Sequence, residues 1–443
     1  MADTLLDDLL DWLRIPSIST GGGDPADLER AAEWAAAKVR DAGGEAELVR
    51  MDGGNPLVVG ELAASTGAGA PTVLIYGHYD VQGAEPLELW DTPPFEPVIR
   101  DGRVFARGAA DDKGNFWPLL KAACDLARAG ELPVNVRVAV EGEEEAGGAT
   151  ISKWLAADER GADAAIVYDS GMVSPERPAI TVGLRGVHLV TFDVRAAERD
   201  LHSGMYGGSA LNALHALHQG LAAVIPGPDG RVRDELRVGI APPTDEERAS
   251  WADLPSGEEA LAGAGARPAY PDAAAEYVER NGSDTAVDVD QIVAGDTRTV
   301  IPAVARATVS IRVAPGQDVH AMGAELERLI REALPAGAEM QVVSSHTAPP
   351  AHFPADSPVL RIAGEALERA CGAAPAFVRS GGAIPVVADL AAKGIPTIVT
   401  GFVLPDDPFH APNESFSLRG LELGEKSGRE LLRGLAALGD GAA

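Results

Sequence analysis

The chain has 443 residues, of which 46% are hydrophobic and 23% are charged, so it has the composition of a globular protein and the length of two or three domains. It carries 37 Lys plus Arg against 67 Asp plus Glu, a formal net charge of -30. This charge excludes nucleic acid and anionic membranes as expected partners, because both would be repelled.

The N-terminal segment and the two cysteines bear on where the protein is found. Residues 1–18 pair leucines with aspartates, which predicts an amphipathic helix and lacks the basic and apolar regions of a signal peptide. No apolar run approaches the ~20 residues of a membrane span. We therefore predict a cytoplasmic protein, and we interpret Cys124 and Cys371, which lie in Ala-rich helical contexts, as buried free thiols.

The first part of the chain alternates short apolar strands with helices. Strands are predicted at residues 73–76, 134–140 and 164–168, and a helix at about 115–129, with Pro118 tolerated in its first turn. This alternation predicts an open, mixed α/β sheet flanked by helices.

The middle of the chain has a different pattern. Long alternating strands at 187–194 and 300–313, with helices at 209–224 and 319–334, suit a small α+β domain built on an antiparallel sheet. Residues 226–296 are rich in Pro, Gly, Asp and Glu, and predict irregular surface structure with one or two helices.

The α/β pattern then resumes, with a helix near 358–371, a strand at 396–400 and a last helix at about 418–438. This order favours one domain inserted into another over domains in tandem. The predicted boundaries are 1–184 and 347–443 for the α/β domain and 185–346 for the inserted, smaller α+β domain.

Groups that bind divalent cations recur where predicted strands end. They are His78 after the first strand, Glu144 and Glu145 after the next, Asp169 after a third, and His410 beyond the late strand. In an open α/β sheet, the carboxyl ends of the strands form the crevice in which sites assemble. Imidazole nitrogen and carboxylate oxygen are ligands of zinc and similar ions, so a metal site is predicted at this edge.

Two further carboxylates extend this site. Asp111 precedes a predicted helix, and its two oxygens can bridge two ions about 3.5–4 Å apart. Asp80 lies two residues from His78, close enough to orient it through the second ring nitrogen. Each residue alone has a structural alternative, such as helix capping by Asp111 or Asp112. Their order and their place at strand ends favour the two-metal interpretation.

The motifs that contain these residues resemble a known family. Segments 77–82 (GHYDVQ), 107–114 (RGAADDKG) and 141–147 (EGEEEAG) are similar to those of the co-catalytic metallopeptidases, which include carnosinase, cytosolic nonspecific dipeptidase, aminoacylase, carboxypeptidase G and succinyl-diaminopimelate desuccinylase. Segments 200–208 and 379–385 place the resemblance nearest to the dipeptidase branch, and the likeness covers nearly the whole chain.

The resemblance implies a role for each residue of the metal site. One ion would be held by His78 and Asp169, the other by Glu145 and His410, with Asp111 bridging both. Glu144 would be the general base and Asp80 would orient His78. Zinc is expected, and manganese or cobalt would suit the same ligands. The peptide bond between Asp111 and Asp112 is expected to be cis, as in relatives.

The resemblance also implies residues that act on the substrate. The inserted domain would form a homodimer and send His202 into the partner's active site. Arg312 and Arg379 match positions that bind the terminal carboxylate of the substrate, and His352 matches a further contact. Ser380 stands where carnosinase-like relatives have an acidic residue and Ala383 where they have a serine, so the metal chemistry is expected to be kept but the relatives' substrate specificity does not carry over to this chain.

The predicted function is therefore a metal-dependent exopeptidase that hydrolyses dipeptides or other short peptides. An N-acyl amino acid amidohydrolase of the same family would share every metal ligand and stays open as an alternative. A silent binding or scaffolding protein on the same fold would lack the base or a ligand, whereas Glu144 and all five ligands are present.

Overall fold

The two strand patterns of the sequence form separate sheets in two units of the chain. The computed structural model describes residues 4–67 and 69–441. The first unit ends at Val182, takes in Phe353–Val378 and resumes at Asp389, and the second consists of Gly183–His352 and Arg379–Ala388.

Every strand and helix predicted from the sequence is present, together with further elements that were not predicted. The strands are β1 (Glu45–Val49), β2 (Leu57–Leu62), β3 (Thr72–His78), β4 (Val98–Arg100), β5 (Arg103–Phe105), β6 (Asn135–Glu141), β7 (Ala164–Tyr168), β8 (Ala179–Leu184), β9 (Gly186–Arg195), β10 (Leu201–His202), β11 (Ala286–Ala294), β12 (Val300–Ile301), β13 (Val304–Val313), β14 (Glu339–Ala348), β15 (Ala351–His352), β16 (Ala376–Ser380), β17 (Thr397–Thr400) and β18 (Ser415–Ser417). The helices are α1 (Thr4–Leu13), α2 (Pro25–Asp41), α3 (Lys113–Ala129), α4 (Thr150–Ala157), α5 (Ser203–Tyr206), α6 (Ala213–Ala222), α7 (Asp245–Ser250), α8 (Gly257–Gly263), α9 (Tyr277–Ser283), α10 (Val319–Ala333), α11 (Pro358–Cys371), α12 (Pro385–Ala392) and α13 (Leu418–Leu435).

The main sheet of the first unit is mixed, with the order β1-β2-β6-β3-β7-β17-β8. Its central strands β3, β6 and β7 are almost continuously apolar and buried, as expected for strands covered on both faces. Helix α3 packs closely against α13 at Gly424 and Gly428, where an added Cβ would lie 3.0 Å from Pro118 and 3.1 Å from Ala122 and would force the neighbours to shift. The predicted open α/β fold is confirmed.

The second unit contains the predicted antiparallel sheet, in the order β11-β13-β9-β14. Strands β9 and β13 alternate buried and half-buried residues, so one face is apolar. Helices α6 and α10 pack on these strands, with Phe192, Leu217 and Ile330 in the common core.

Several details differ from the sequence prediction. Residues 300–313 form two strands, because Pro302 interrupts them: β12 pairs with β10, whereas β13 pairs with β9 and β11. Residues 226–296 contain several short helices and also the strand β11, which was not predicted. Strand β14 was not predicted either. Both of these strands lie at the edges of the second unit's sheet, and β1, β2 and β8 of the main sheet were not predicted either.

The predicted N-terminal helix is present as α1, which buries Leu5, Leu9 and Trp12, and the first three residues of the predicted segment lie outside the described residues. Cys124 and Cys371 are free thiols. Cys124 is buried, which raises its pKa to about 12, whereas Cys371 is only half-buried. None of the described helices combines the length and apolarity needed to cross a bilayer.

Candidate metal centre

Parallel strand pairing brings the predicted metal ligands of the first unit to one edge of its sheet. Strand β3 pairs in parallel with β6 and β7, and β17 pairs in parallel with β7. Their carboxyl ends therefore point the same way. His78 ends β3, Asp169 follows β7, and the loops after β6 and β17 lead to Glu145 and His410.

The ligand atoms form two clusters that share Asp111. One contains His78, Asp111 and Asp169, the other Asp111, Glu145 and His410, and within each the ligand atoms lie within 4.8 Å of one another. Asp111 Oδ1 is 2.9 Å from His78 Nε2, and Asp111 Oδ2 is 2.9 Å from His410 Nε2. The two carboxylate oxygens thus face different imidazoles, the arrangement of a bridging ligand.

The donor set fits divalent cations. Burial raises the pKa of Asp169 well above its usual range, and the charges of Asp111, Glu144 and Glu145 add to the increase. So many buried carboxylates repel one another unless positive charge lies among them. Imidazole nitrogens and carboxylate oxygens suit zinc, manganese and cobalt alike.

Asp111 is positioned by a residue that the sequence analysis missed. The fully buried Glu414 accepts backbone hydrogen bonds from Gly108, Ala110 and Asp111 at 2.8–3.0 Å, and Arg107 Nη1 donates to it at 2.7 Å. This carboxylate fixes the turn that carries Asp111. The peptide bond between Asp111 and Asp112 is cis, as the resemblance implied.

The position of His78 depends on close packing and on Asp80. The preceding Gly77 has no space for a Cβ, which would lie 2.2 Å from the Phe116 ring of α3. His78 Nδ1 is 3.1 Å from the Asp80 carbonyl oxygen and 3.4 Å from the carboxylate Oδ1, so the carbonyl is the nearer acceptor. Both the carboxylate and the backbone carbonyl of Asp80 therefore orient the His78 ring, whereas only the carboxylate was expected to do so.

The other Asp80 carboxylate oxygen connects the two clusters. Asp80 Oδ2 accepts hydrogen bonds from Ser19 Oγ at 2.6 Å and from the Glu145 amide at 3.1 Å. Gln82 Nε2 donates to Glu145 Oε2 at 2.8 Å. Ser19 and Gln82 were not predicted as part of the site, because single polar residues in loops have no distinctive sequence pattern.

Glu144 lies beside the clusters and differs chemically from Glu145. Burial raises the pKa of Glu144 to about 6, and the negative charges of Asp111 and Glu145 contribute to the increase. Glu145 instead contacts His410, with Oε2 3.1 Å from Nε2. A carboxylate with a pKa near neutrality is suited to accept and return a proton.

The predicted substrate residues lie in the second unit. His202 is exposed at the start of α5, and its Nδ1 accepts the Gly204 amide at 3.1 Å. Arg312 is half-buried on β13, where its charge helps to lower the pKa of the buried Arg185 to about 10, mainly an effect of burial.

Arg379 has partners that the sequence analysis did not anticipate. Its guanidinium donates to Glu247 at 2.8 Å and to the Ala241 carbonyl at 2.6 Å, and lies 3.4 Å from His352 Nε2. The side chains of Arg379 and Glu247 are each 1% exposed. Arg379 and His352 are therefore brought together, but the Arg379 charge is already neutralised within the second unit.

The α/β fold and the two clusters sharing Asp111 have the features expected of a metal-dependent hydrolase. Residues 74–434 match the model of Peptidase family M20/M25/M40, and the chain belongs to this family. The resemblance found in the motifs is confirmed, and so is the assignment of the chain as a metallopeptidase.

Characterised relatives share much of the chain. It is 29% identical over 373 residues to the cysteinylglycine-S-conjugate dipeptidase of Corynebacterium striatum, covering 82% of this chain and 80% of that protein. It is 30% identical over 259 residues to the Cys-Gly metallodipeptidase DUG1 of Saccharomyces cerevisiae, covering 56% of this chain and 54% of that protein. The solved M20 family metallo-carboxypeptidase Sso-CP2 from Sulfolobus solfataricus is similar with a TM-score of 0.81 at 26% identity, covering 98% of this chain and 99% of that one.

Proposed function

We propose that this metallopeptidase is an exopeptidase that hydrolyses the amide bond of dipeptides or other short peptides. The observation that supports this most directly is the pair of clusters joined by Asp111, in a chain similar to a cysteinylglycine-S-conjugate dipeptidase and a Cys-Gly metallodipeptidase. We propose that His78 and Asp169 hold one divalent cation, Glu145 and His410 a second, and Asp111 both, with zinc expected and manganese or cobalt as alternatives. When bound, such a pair of cations lowers the pKa of water and polarises the scissile carbonyl.

In this proposal Glu144 is the general base. It takes a proton from the attacking water and returns it to the leaving amine. Its raised pKa, about 6, makes the return of that proton favourable near neutral pH. Asp80 contributes by holding His78 and the Glu145 backbone at once.

We further propose that the protein acts as a cytoplasmic homodimer in which His202 serves the partner's active site. Because His202 Nδ1 accepts the Gly204 amide, the neutral ring carries its proton on Nε2. An exposed Nε2–H is a suitable donor to a developing oxyanion. The net charge of -30 supports the proposal that neither nucleic acid nor an anionic membrane is a binding partner.

For the substrate carboxylate we propose Arg312, since a guanidinium binds a carboxylate through two parallel hydrogen bonds. Arg379 was expected to share this role, but its guanidinium already binds Glu247. We assign Arg379 instead to holding His352, the proposed further substrate contact, and the backbone carbonyl of Ala241.

Hydrolysis of a panel of dipeptides, tripeptides and N-acetyl amino acids tests the proposal. Metal-stripped protein is assayed alone and after zinc or manganese is restored. Metal-dependent release of free amino acids from dipeptides is expected. Activity on N-acetyl compounds alone would assign the chain to the deacylases of the family, a possibility kept open by Ser380 and Ala383. No metal-dependent activity on any compound would refute the proposed substrate class.

A further inference from the structure

The second unit contains a cavity of about 570 Å³ whose lining is rich in arginine. Four lining residues are arginines, in a chain with a net charge of -30: Arg231, Arg237, Arg248 and Arg280. Three carboxylates lie with them, those of Glu276, Glu279 and Asp284, so the lining carries one more positive than negative charge. A local excess of positive charge on an acidic protein attracts anions to that place.

The guanidinium groups have more donors than their partners can accept. The nearly buried Asp284 carboxylate accepts hydrogen bonds from Arg231, Arg237 and Arg280. Each guanidinium offers about five N–H donors, whereas a carboxylate offers about four acceptor positions. Arg280 also donates to Glu276 and to the carbonyls of Asp229 and Gly230, whereas Arg231 and Arg237 make fewer bonds and retain donors for another acceptor.

Arg231 loses less interaction energy than Arg237 when it turns from its present partners to such an acceptor. Its bonds to Asp284 and Glu276 are long, at 3.3–3.5 Å, and its side chain is 38% exposed. Arg237, by contrast, makes bonds of 3.0 and 3.2 Å to Asp284. Arg231 thus forms weaker ion pairs than Arg237 and gives them up more readily.

A second observation points to a missing polar partner. Ser283 lines the cavity and is 3% exposed, and its hydroxyl has no hydrogen-bond partner among the residues that the structure describes. A buried hydroxyl without a partner costs about 1–3 kcal/mol. The Ser283 oxygen is not accessible from the cavity in this conformation, so a ligand oxygen would satisfy it once the side chain rotates to another staggered rotamer.

The remaining wall of the cavity is apolar. Trp251, Pro242, Pro243 and Val278 contribute to it. We propose that the cavity binds a small organic anion. The arginines and Ser283 bind its carboxylate or phosphate group, and its apolar body lies against Trp251 and the two prolines. This site goes beyond the peptidase activity and does not depend on the proposed substrate.

Calorimetric titration of the zinc-loaded full chain with phenyl phosphate, phenylacetate, inorganic phosphate and benzyl alcohol tests the proposal. At least one of the two aromatic anions is expected to bind, more tightly than inorganic phosphate, and which one binds identifies the preferred charged group. Benzyl alcohol, which has no charge, is expected not to bind.

Two variants locate the binding. Arg231→Gln is expected to weaken it about tenfold, the effect of one charge-assisted hydrogen bond. Ser283→Ala is expected to weaken it several-fold while leaving stability unchanged or higher. Arg306→Gln is the control, since Arg306 forms an exposed pair with Asp193 on β9 and β13 of the same unit.

The proposal is overturned if neither aromatic anion binds. It is also overturned if binding is undiminished in both variants, because the anion would then bind at the catalytic metals. Should Arg231→Gln fail to fold, Ser283→Ala alone decides between these outcomes, since it removes one hydroxyl and no charge.

Discussion

Asp111 and Glu144 illustrate how neighbouring carboxylates acquire different functions. Asp111 faces an imidazole with each oxygen, and its backbone is held by Glu414. Burial leaves Glu144 with a raised pKa of about 6. Asp111 is thus a candidate metal ligand, because its neighbours balance its charge. Glu144 is a candidate base, because its proton affinity is increased.

Glu144→Gln tests this separation. The substitution removes the proton acceptor and keeps the shape of the side chain, so kcat is expected to fall about 100- to 10,000-fold. Metal content, measured by atomic emission on the purified variant, is expected to equal that of the wild type. Glu159→Gln, an exposed substitution of the same kind, is the control. If the Glu144 variant keeps a large fraction of the wild-type rate, another group is the base.

Sequence alone was sufficient to propose the residues at the strand ends, because strand periodicity shows where such ends lie. It could not identify Glu414 as the residue that holds the Asp111 turn. That role arises when two segments about 300 residues apart in sequence meet, and neither segment is periodic. For Arg379 the motif was recognised in the sequence, but its partner Glu247 was not, because Glu247 lies in the segment with the weakest periodicity.

At the scale of elements, every strand and helix predicted from the sequence is present, but burial did not ensure detection, since the buried strands β2 and β8 were missed. Strand β7 was predicted with its observed bounds, and β9 within two residues of them. The edge strands β11 and β14 were missed, since β11 has exposed apolar residues such as Ile292 and Val293, and β14 is largely exposed. An edge strand shows no clear alternation of apolar and polar residues when neither of its faces is fully buried.

Helix α7 links its own N-terminal cap to Arg379. Thr244 and Glu247 form a capping box, in which the Glu247 carboxylate accepts the Thr244 amide at 2.8 Å and the Thr244 hydroxyl accepts the Glu247 amide at 3.1 Å. The same carboxylate pairs with Arg379 in a site from which solvent is excluded. The cap and the buried ion pair therefore depend on one side chain.

Glu247→Gln is expected to destabilise the protein by about 3–5 kcal/mol, because it leaves the Arg379 charge buried without a counter-charge. Urea denaturation monitored by circular dichroism measures this loss. Asp193→Asn is the matched control: it breaks an ion pair with Arg306 at the surface and is expected to cost less than about 1 kcal/mol. Equal effects of the two substitutions would show that the buried pair has no special role.

At the scale of the whole molecule, the proposed homodimer has a testable consequence. If His202 serves the partner's site, each site is completed by residues of two chains. A chain with Glu144→Gln and a chain with His202→Ala are then each inactive as homodimers. In a mixed dimer, the site that retains Glu144 receives His202 from the other chain and is complete, whereas the second site lacks both groups.

Co-expression of the two variants with different affinity tags, followed by tandem purification, isolates the mixed dimer. Random pairing makes half of all dimers mixed, so the unfractionated mixture is expected to recover about a quarter of wild-type activity. The purified mixed dimer is expected to show half of it, with a wild-type KM, since its single complete site is unaltered. A His202 that acts within its own chain would leave every site of the mixed dimer defective, and activity would stay at the level of the separate variants. A protein that sediments as a fully active monomer would contradict the shared site directly.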